Sequence, residues 1–205
     1  MCRVFIIDDD KKHNDFYPQL LEDNGFEVFS TENAFKLVSY AKELKPELYV
    51  LNSQMENTNY SALVEHLVVN GFADKAPLVS LYDDKLAAWQ QGVSHYIYDP
   101  DDKDKLPQIA SAYCAGGAKY DVLLLDDFLP PDDFSVQFIK ELNISYFNVY
   151  NVQAAKLFLQ KNEAKAVFVH SSPKRYKELK LKLGIKNVFY VENMKNLKDL
   201  VSFIG

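Results

Sequence analysis

Short apolar runs alternate with amphipathic segments along the whole of this 205-residue chain, and glycines punctuate many of the junctions. Runs of that kind have the length and composition of buried strands, and each intervening segment is long enough for one helix. Regular alternation points to one architecture: parallel strands in a sheet, with the connecting helices covering its faces. The first half holds five such units, with strands expected at 3–8, 26–30, 47–52, 77–82 and 94–98 and helices at 14–24, 32–44, 60–70, 85–91 and 103–113. Gly25, Gly71 and Gly92 follow three of those helices, where a left-handed residue ends a helix most easily. Within 32–44, Phe35, Leu37, Val38 and Ala41 share the side expected to face the sheet.

Cys114-Ala115-Gly116-Gly117-Ala118 closes the fifth helix and precedes a new strand, which marks it as the linker. Domains are therefore expected at 1–115 and 119–205. In the second, strands are expected at 121–126, 146–150, 166–170 and 187–192, and helices at 134–143, 152–162, 174–183 and 197–204. The halves read as a complete and a shortened copy of one module. Val28-Phe29-Ser30-Thr31 compares with Val149-Tyr150-Asn151-Val152, and the segment from Gly92 to Asp99 with that from Gly184 to Glu192.

With 48% hydrophobic and 25% charged residues, the chain can bury a sizeable core. No apolar run approaches the ~18 residues of a membrane span, and the N-terminus enters a strand directly, without signal-peptide organisation. Cys2 and Cys114 are too few and too scattered for a disulfide framework or a metal site, so a reducing cytoplasm is the expected compartment. Net charge is −6 and unevenly divided: residues 1–117 carry 10 basic against 19 acidic side chains, a net −9, and residues 118–205 carry 13 against 10, a net +3. Halves of opposite sign attract each other or a charged partner, unless the acidic surface is simply solvated.

The chemistry gathers at strand ends. Val4-Phe5-Ile6-Ile7 runs into Asp8-Asp9-Asp10, and Leu48-Tyr49-Val50-Leu51 into Asn52-Ser53-Gln54-Met55. In a parallel sheet the carboxyl ends of the strands share one edge, where sites form. From Arg3 to Tyr113 the chain resembles the receiver domain of bacterial response regulators. The resemblance assigns Asp8 and Asp9 as the acidic pair that binds Mg²⁺. Met55, three residues past Asn52, marks Asn52 as the position of the phosphoacceptor aspartate, and Glu56 stands where a proline usually follows. Pro77-Leu78-Val79-Ser80-Leu81-Tyr82 matches the fourth strand and puts the Thr/Ser switch position on Tyr82. The fifth strand ends in Tyr98-Asp99-Pro100, which keeps the proline of the family's Lys-Pro pair and replaces its lysine with Asp99. The implied fold is α/β: two flavodoxin-like, doubly wound parallel sheets in tandem, of five and then about four βα units.

Three chemical positions are altered, so the first half is expected to be a pseudo-receiver with a degenerate phosphorylation site. The amide of Asn52 cannot form an acyl phosphate. Tyr82 is too bulky to swing inward toward a phosphoryl oxygen as a small hydroxyl does. Asp99 carries negative charge where the family places a cation, and it opposes Asp8, Asp9 and any bound phosphate. Asp8, Asp9 and the Asn52 side-chain oxygen remain a candidate weak Mg²⁺ site; otherwise the acids cap the following helix. In the second half, Val122-Leu123-Leu124-Leu125-Asp126-Asp127-Phe128 resembles a receiver first strand with its acidic pair. It also resembles an acceptor segment, with Leu129-Pro130 following, but a fresh domain starts here and favours the first-strand reading. The strand at 166–170 is then a third or fourth strand with the intervening unit lost. It places His170 at the acceptor position or Ser171 at the switch position, and the family's lysine falls on Glu192.

His170 at a strand end is unlike a phosphorelay histidine, which projects from a helical bundle, and His13, His66 and His95 are dispersed without metal-ligand spacing. Residues 174–182 form a basic helix with Tyr176, Leu179 and Leu183 on one face. Solvation or docking on an acidic surface suits it better than nucleic acid, because the chain is acidic and lacks a helix-turn-helix signal. Trp89, Tyr96 and Tyr98 lie near the expected fourth helix and fifth strand, part of the docking face the resemblance implies, with Tyr96 at its aromatic switch position. Exposed aromatics there would anchor an interface. The expectation is a bacterial, cytoplasmic signalling adaptor or scaffold, not an enzyme, acting through protein–protein contact independently of phosphorylation. Its partner is another protein or, as a homodimer, a second copy of the chain, and no cofactor beyond Mg²⁺ is expected. Two rivals are a phosphorelay regulator with its acceptor at Asp126 or Asp127, and a small-molecule-sensing pseudo-receiver using the strand-end crevice.

Overall fold

The computed structural model describes residues 2–10, 13–82, 92–97, 104–127, 144–192 and 199–201. The helices expected at 85–91 and 134–143, most of that at 197–204, and Trp89, Tyr98, Asp99, Pro100, Leu129 and Pro130 lie outside the described residues. The chain divides into two compact units, Met1–Gly116 and Gly117–Gly205.

The first unit carries β1 (Arg3–Ile7), α1 (His13–Asp23), β2 (Glu27–Thr31), α2 (Leu37–Leu44), β3 (Leu48–Asn52), α3 (Tyr60–Val69), β4 (Leu78–Leu81), β5 (His95–Ile97) and α4 (Lys105–Cys114). Its strands are all parallel, in the order β2-β1-β3-β4-β5. Phe5, Ile7, Tyr49 and Leu51 enter one core with Leu37 and Ala41 of α2 and Leu63 and Leu67 of α3. The alternate residues Val4, Ile6, Leu48 and Val50 are buried as well, so both faces are covered and these strands read as unbroken apolar runs. Strand order reverses at β1 and β3, which opens the crevice beyond their carboxyl ends.

Two details of this unit differ from expectation. The helix expected at 32–44 is shorter, because Ala34–Lys36 form a 3₁₀ turn and α2 begins at Leu37. It stops without glycine: Lys45 takes φ 48°, and Pro46 disfavours continued right-handed helix at that residue. The second difference is larger. Cys2 and Cys114, expected to be too few and too scattered for a disulfide framework, are joined by a disulfide with Cα atoms 5.4 Å apart. They are 112 residues apart in the chain, but Cys2 precedes a central strand and Cys114 ends the helix that returns along the sheet. Separation in sequence is no guide to distance once the sheet closes.

The second unit carries β6 (Lys119–Asp126), β7 (Tyr146–Val149), α5 (Val152–Lys161), β8 (Glu163–His170), α6 (Pro173–Leu183) and β9 (Val188–Val191). Its strands are parallel in the order β7-β6-β8-β9. That is the order of the first sheet without a counterpart of β5 among the described residues. No unit is therefore lost before β8, contrary to expectation; β8 is the third strand of its sheet and β9 the fourth. Glu192 follows the fourth strand, at the rank of Tyr82, and not the lysine position. Register corrects the repeat too. Ile7 lies opposite Thr31 and Leu125 opposite Val149, so Thr31, and not Val28, corresponds to Val149. Short apolar strands match each other in several frames, and only pairing chooses among them.

The ladder between β6 and β8 reaches back to Lys119 and Glu163, beyond the expected starts, where charged residues disguise the strands. Lys165 Nζ lies 2.8 Å from Asp121 Oδ1, and Asp121 Oδ2 accepts from the Ser145 N–H at 3.0 Å and hydroxyl at 2.7 Å. Lys165 first, then Ser145, hold the Asp121 carboxyl down at about 2. Ser172 caps α6 by accepting the Arg175 N–H at 3.3 Å, Pro173 occupies its first turn, and Gly184 ends it at φ 67°.

Candidate functional site

Asp8 follows β1 and Asn52 ends β3, neighbouring strands whose register sets Ile7 opposite Leu51. Both side chains are almost wholly buried, each 1% exposed. Asn52 Nδ2 donates to Asp8 Oδ1 at 2.9 Å, and the same oxygen takes the Asp10 N–H at 2.9 Å. Asn52 Oδ1 accepts the Gln54 N–H at 2.8 Å, an Asx turn that starts the loop toward α3. Asp9 holds that loop from β1, accepting the N–H groups of Glu56 at 3.1 Å and Asn57 at 2.8 Å. A carboxylate at 52 would repel Asp8 across this distance; the amide substitutes a charge-assisted hydrogen bond.

The resemblance assigned a weak Mg²⁺ site to Asp8, Asp9 and Asn52. That ion takes a near-octahedral set of oxygens. Here Asn52 presents N–H to Asp8 and turns its oxygen to Gln54, while both Asp9 oxygens serve the backbone.

Tyr82 follows β4 at φ 61°, a left-handed conformation that bulky side chains rarely adopt. Its N–H donates to the Ile97 carbonyl at 2.7 Å, and its hydroxyl lies 2.8 Å from that of Tyr17 on α1. The two rings meet edge to face, 6.3 Å between centroids. Burial, then the Tyr82 hydroxyl and the nearby Asp8 charge, push the Tyr17 phenol upward. Tyr82 thus bridges to α1 with a partner that sequence reasoning missed, since no pattern in α1 singles out Tyr17.

Of the expected partner surface, Tyr96 is described, and it is half-buried against the core. His95 beside it is buried, with Nε2 2.8 Å from the Tyr113 hydroxyl. Burial pushes His95 down to about 3, whereas an unfolded imidazole titrates near ~6.5. The folded unit keeps this ring neutral while the unfolded chain takes up a proton, so its contribution is full above pH ~6.5 and is lost as pH falls toward 3. The urea midpoint of the first unit should therefore drop between about pH 6.5 and 4, more steeply in wild type than in His95→Phe. Equal slopes in the two proteins would refute this.

The second unit reaches the same arrangement with a different residue. Asp126 pairs in register with His170; they are 1% and 7% exposed. His170 Nδ1 donates to Asp126 Oδ1 at 3.0 Å, because a carboxylate can only accept. By rank in the sheet, Asp126 stands where Asp8 does and His170 where Asn52 does. The Asp127 N–H donates to the His170 carbonyl at 2.9 Å, and Arg175 Nε donates to Asp127 Oδ2 at 2.7 Å. The basic helix is thus tied to its own unit through Arg175, while Leu179 and Leu183 are buried beneath it and Tyr176 donates to the Val188 carbonyl at 2.9 Å.

A parallel sheet ordered 2-1-3-4-5, with two acids where its first strand ends, defines a receiver-type signalling domain. The response regulator receiver domain model matches residues 4–111, and the chain belongs to that family. Protein PilH of Pseudomonas aeruginosa PAO1 is 25% identical over 121 residues, which cover 57% of this chain and 100% of PilH. Solved structures similar to the chain include a CheY-like receiver domain protein from Methanospirillum hungatei JF-1, at 21% identity and TM-score 0.47, covering 55% of this chain and 94% of that one. CheY4 of Vibrio cholerae follows at 16% identity and TM-score 0.47, covering 54% and 98%. A two-component response regulator from Clostridium difficile gives 20% identity and TM-score 0.48, covering 55% and 94%.

Proposed function

We propose that this chain is a bacterial, cytoplasmic signalling adaptor or scaffold whose two units, 1–115 and 119–205, bind proteins and do not accept phosphate. The observation that carries the proposal is the pair of N–H donors at the acceptor rank, Asn52 and His170, each bonded to the buried acid of its first strand. Two chemically different residues doing one task argue that the task is to hold that acid in place without metal or phosphate. Tyr82 and Asp99 complete the degenerate site in this reading, the first by its bond to Tyr17, the second by charge opposed to any phosphate. Trp89, Tyr96 and Tyr98 are the surface assigned to the partner, another protein or a second copy of the chain. Among the described residues no helix is long and apolar enough to cross a membrane.

Treatment with acetyl phosphate and Mg²⁺ should leave the intact mass unchanged. An adduct of about 80 Da, one phosphoryl group, mapping to Asp126 or Asp127 would overturn the proposal in favour of a phosphorelay component.

A further inference from the structure

The amino edge of the first sheet, opposite the Asp8–Asn52 crevice, gathers three side chains that can ligate a metal. Cys2 precedes β1, Glu47 precedes β3 and Cys114 ends α4. The two chain entries are tied together, because β1 and β3 are neighbours and the Glu47 N–H donates to the Arg3 carbonyl at 2.8 Å. Both sulfurs and a Glu47 carboxylate oxygen lie within 4.8 Å of one another, in partly exposed positions. We infer that reduction of the Cys2–Cys114 disulfide by a thiol or phosphine reductant, which supplies two electrons while water supplies two protons to give two thiols, converts this trio into a Zn²⁺ site, with two thiolates, the Glu47 carboxylate and a water as ligands.

The donor set carries the argument. Zn²⁺ is commonly held by sulfur, nitrogen and carboxylate oxygen in a tetrahedron, and this trio offers two sulfurs and a carboxylate oxygen. The three ligand atoms already lie within 4.8 Å of one another, and reduction would free the two sulfurs to separate. Binding then forms two Zn–S bonds and one Zn–O bond and releases two thiol protons, with no electron transferred. A thiolate-rich set also favours Zn²⁺ over Mg²⁺ or Ca²⁺. In the proposed cytoplasmic location, on which this inference rests, disulfides rarely persist and the dithiol is the form available.

The full chain, reduced with a phosphine and titrated with Zn²⁺ against a chromophoric chelator, should bind one ion that the oxidised chain does not. Co²⁺ in its place should give a sulfur-to-cobalt charge-transfer band, which histidine and carboxylate ligands cannot produce. Cys114→Ser should abolish that band. Glu47→Gln should keep it and weaken Zn²⁺ binding by about tenfold or more, since even indirect ligand partners matter by that factor. A reduced wild-type chain without the band overturns the inference, whatever the variants do; a Glu47→Gln variant that binds Zn²⁺ as tightly as wild type removes Glu47 from the site.

Discussion

Replacing Asn52 by aspartate is expected to lower the stability of the first unit by about 2–4 kcal/mol at neutral pH and still to yield no long-lived phosphoprotein. The wild-type contact is a 2.9 Å hydrogen bond between two groups that are each 1% exposed. In the variant two carboxyl groups face each other there, and like charges so close cannot both stay ionised. One carboxyl then holds a proton in the folded state at a pH where the unfolded chain has released it. Its folded pKa is raised, so stability is retained at low pH and lost as pH rises through that value. Urea unfolding at pH 5 and pH 8 should show the gap to wild type widening with pH, and Mg²⁺ should narrow it, because a cation can then neutralise the pair. Phosphorylation should nevertheless stay transient. Tyr82 remains bonded to Tyr17, and in the proposed reading Asp99 replaces the family's cation. A variant as stable as wild type at pH 8, or one that holds phosphate for hours, would defeat this account.

Replacing His170 by leucine is expected to cost the second unit about 3–5 kcal/mol, the range for breaking a buried charge pair by removing one member. Asp126 would keep its burial and lose the Nδ1–H donor at 3.0 Å. His170→Asn should cost only about 1 kcal/mol, because the first unit already shows an asparagine amide serving a buried aspartate from the same rank. The single tryptophan, Trp89, belongs to the first unit by sequence, so its fluorescence follows that unit. Hydrogen exchange at the β6 and β8 amides reads the second. If leucine and asparagine at 170 proved equally tolerated, the hydrogen bond to Asp126 would not be the feature that matters.

Much of the first unit was legible because its central strands are buried on both faces, so Val4–Ile7 and Leu48–Leu51 appear as unbroken apolar runs that stop where polar residues begin. Met55 then pointed to Asn52 as the acceptor position. The second unit was harder. Glu163 and Lys165 hide the start of β8, whose early residues face solvent, and the apolar repeat slid by three residues from Thr31 to Val28. Nothing local marked the rank of β8 in its sheet; its pairing with β6 decided it.

Sequence alone determined the two α/β units, the acids at their first strands and the lack of a carboxylate at position 52. Each of these is local: the spacing of apolar residues and the chemistry of a side chain do not depend on what lies across the fold. Only the tertiary structure decided what those side chains meet. Asn52 reaches Asp8 and His170 reaches Asp126 at the same separation of 44 residues, Tyr82 reaches Tyr17 over 65, and Cys2 meets Cys114 over 112. Those meetings are set by the order and register of parallel strands, which follow from how the helices pack on the sheet and not from any one segment read by itself.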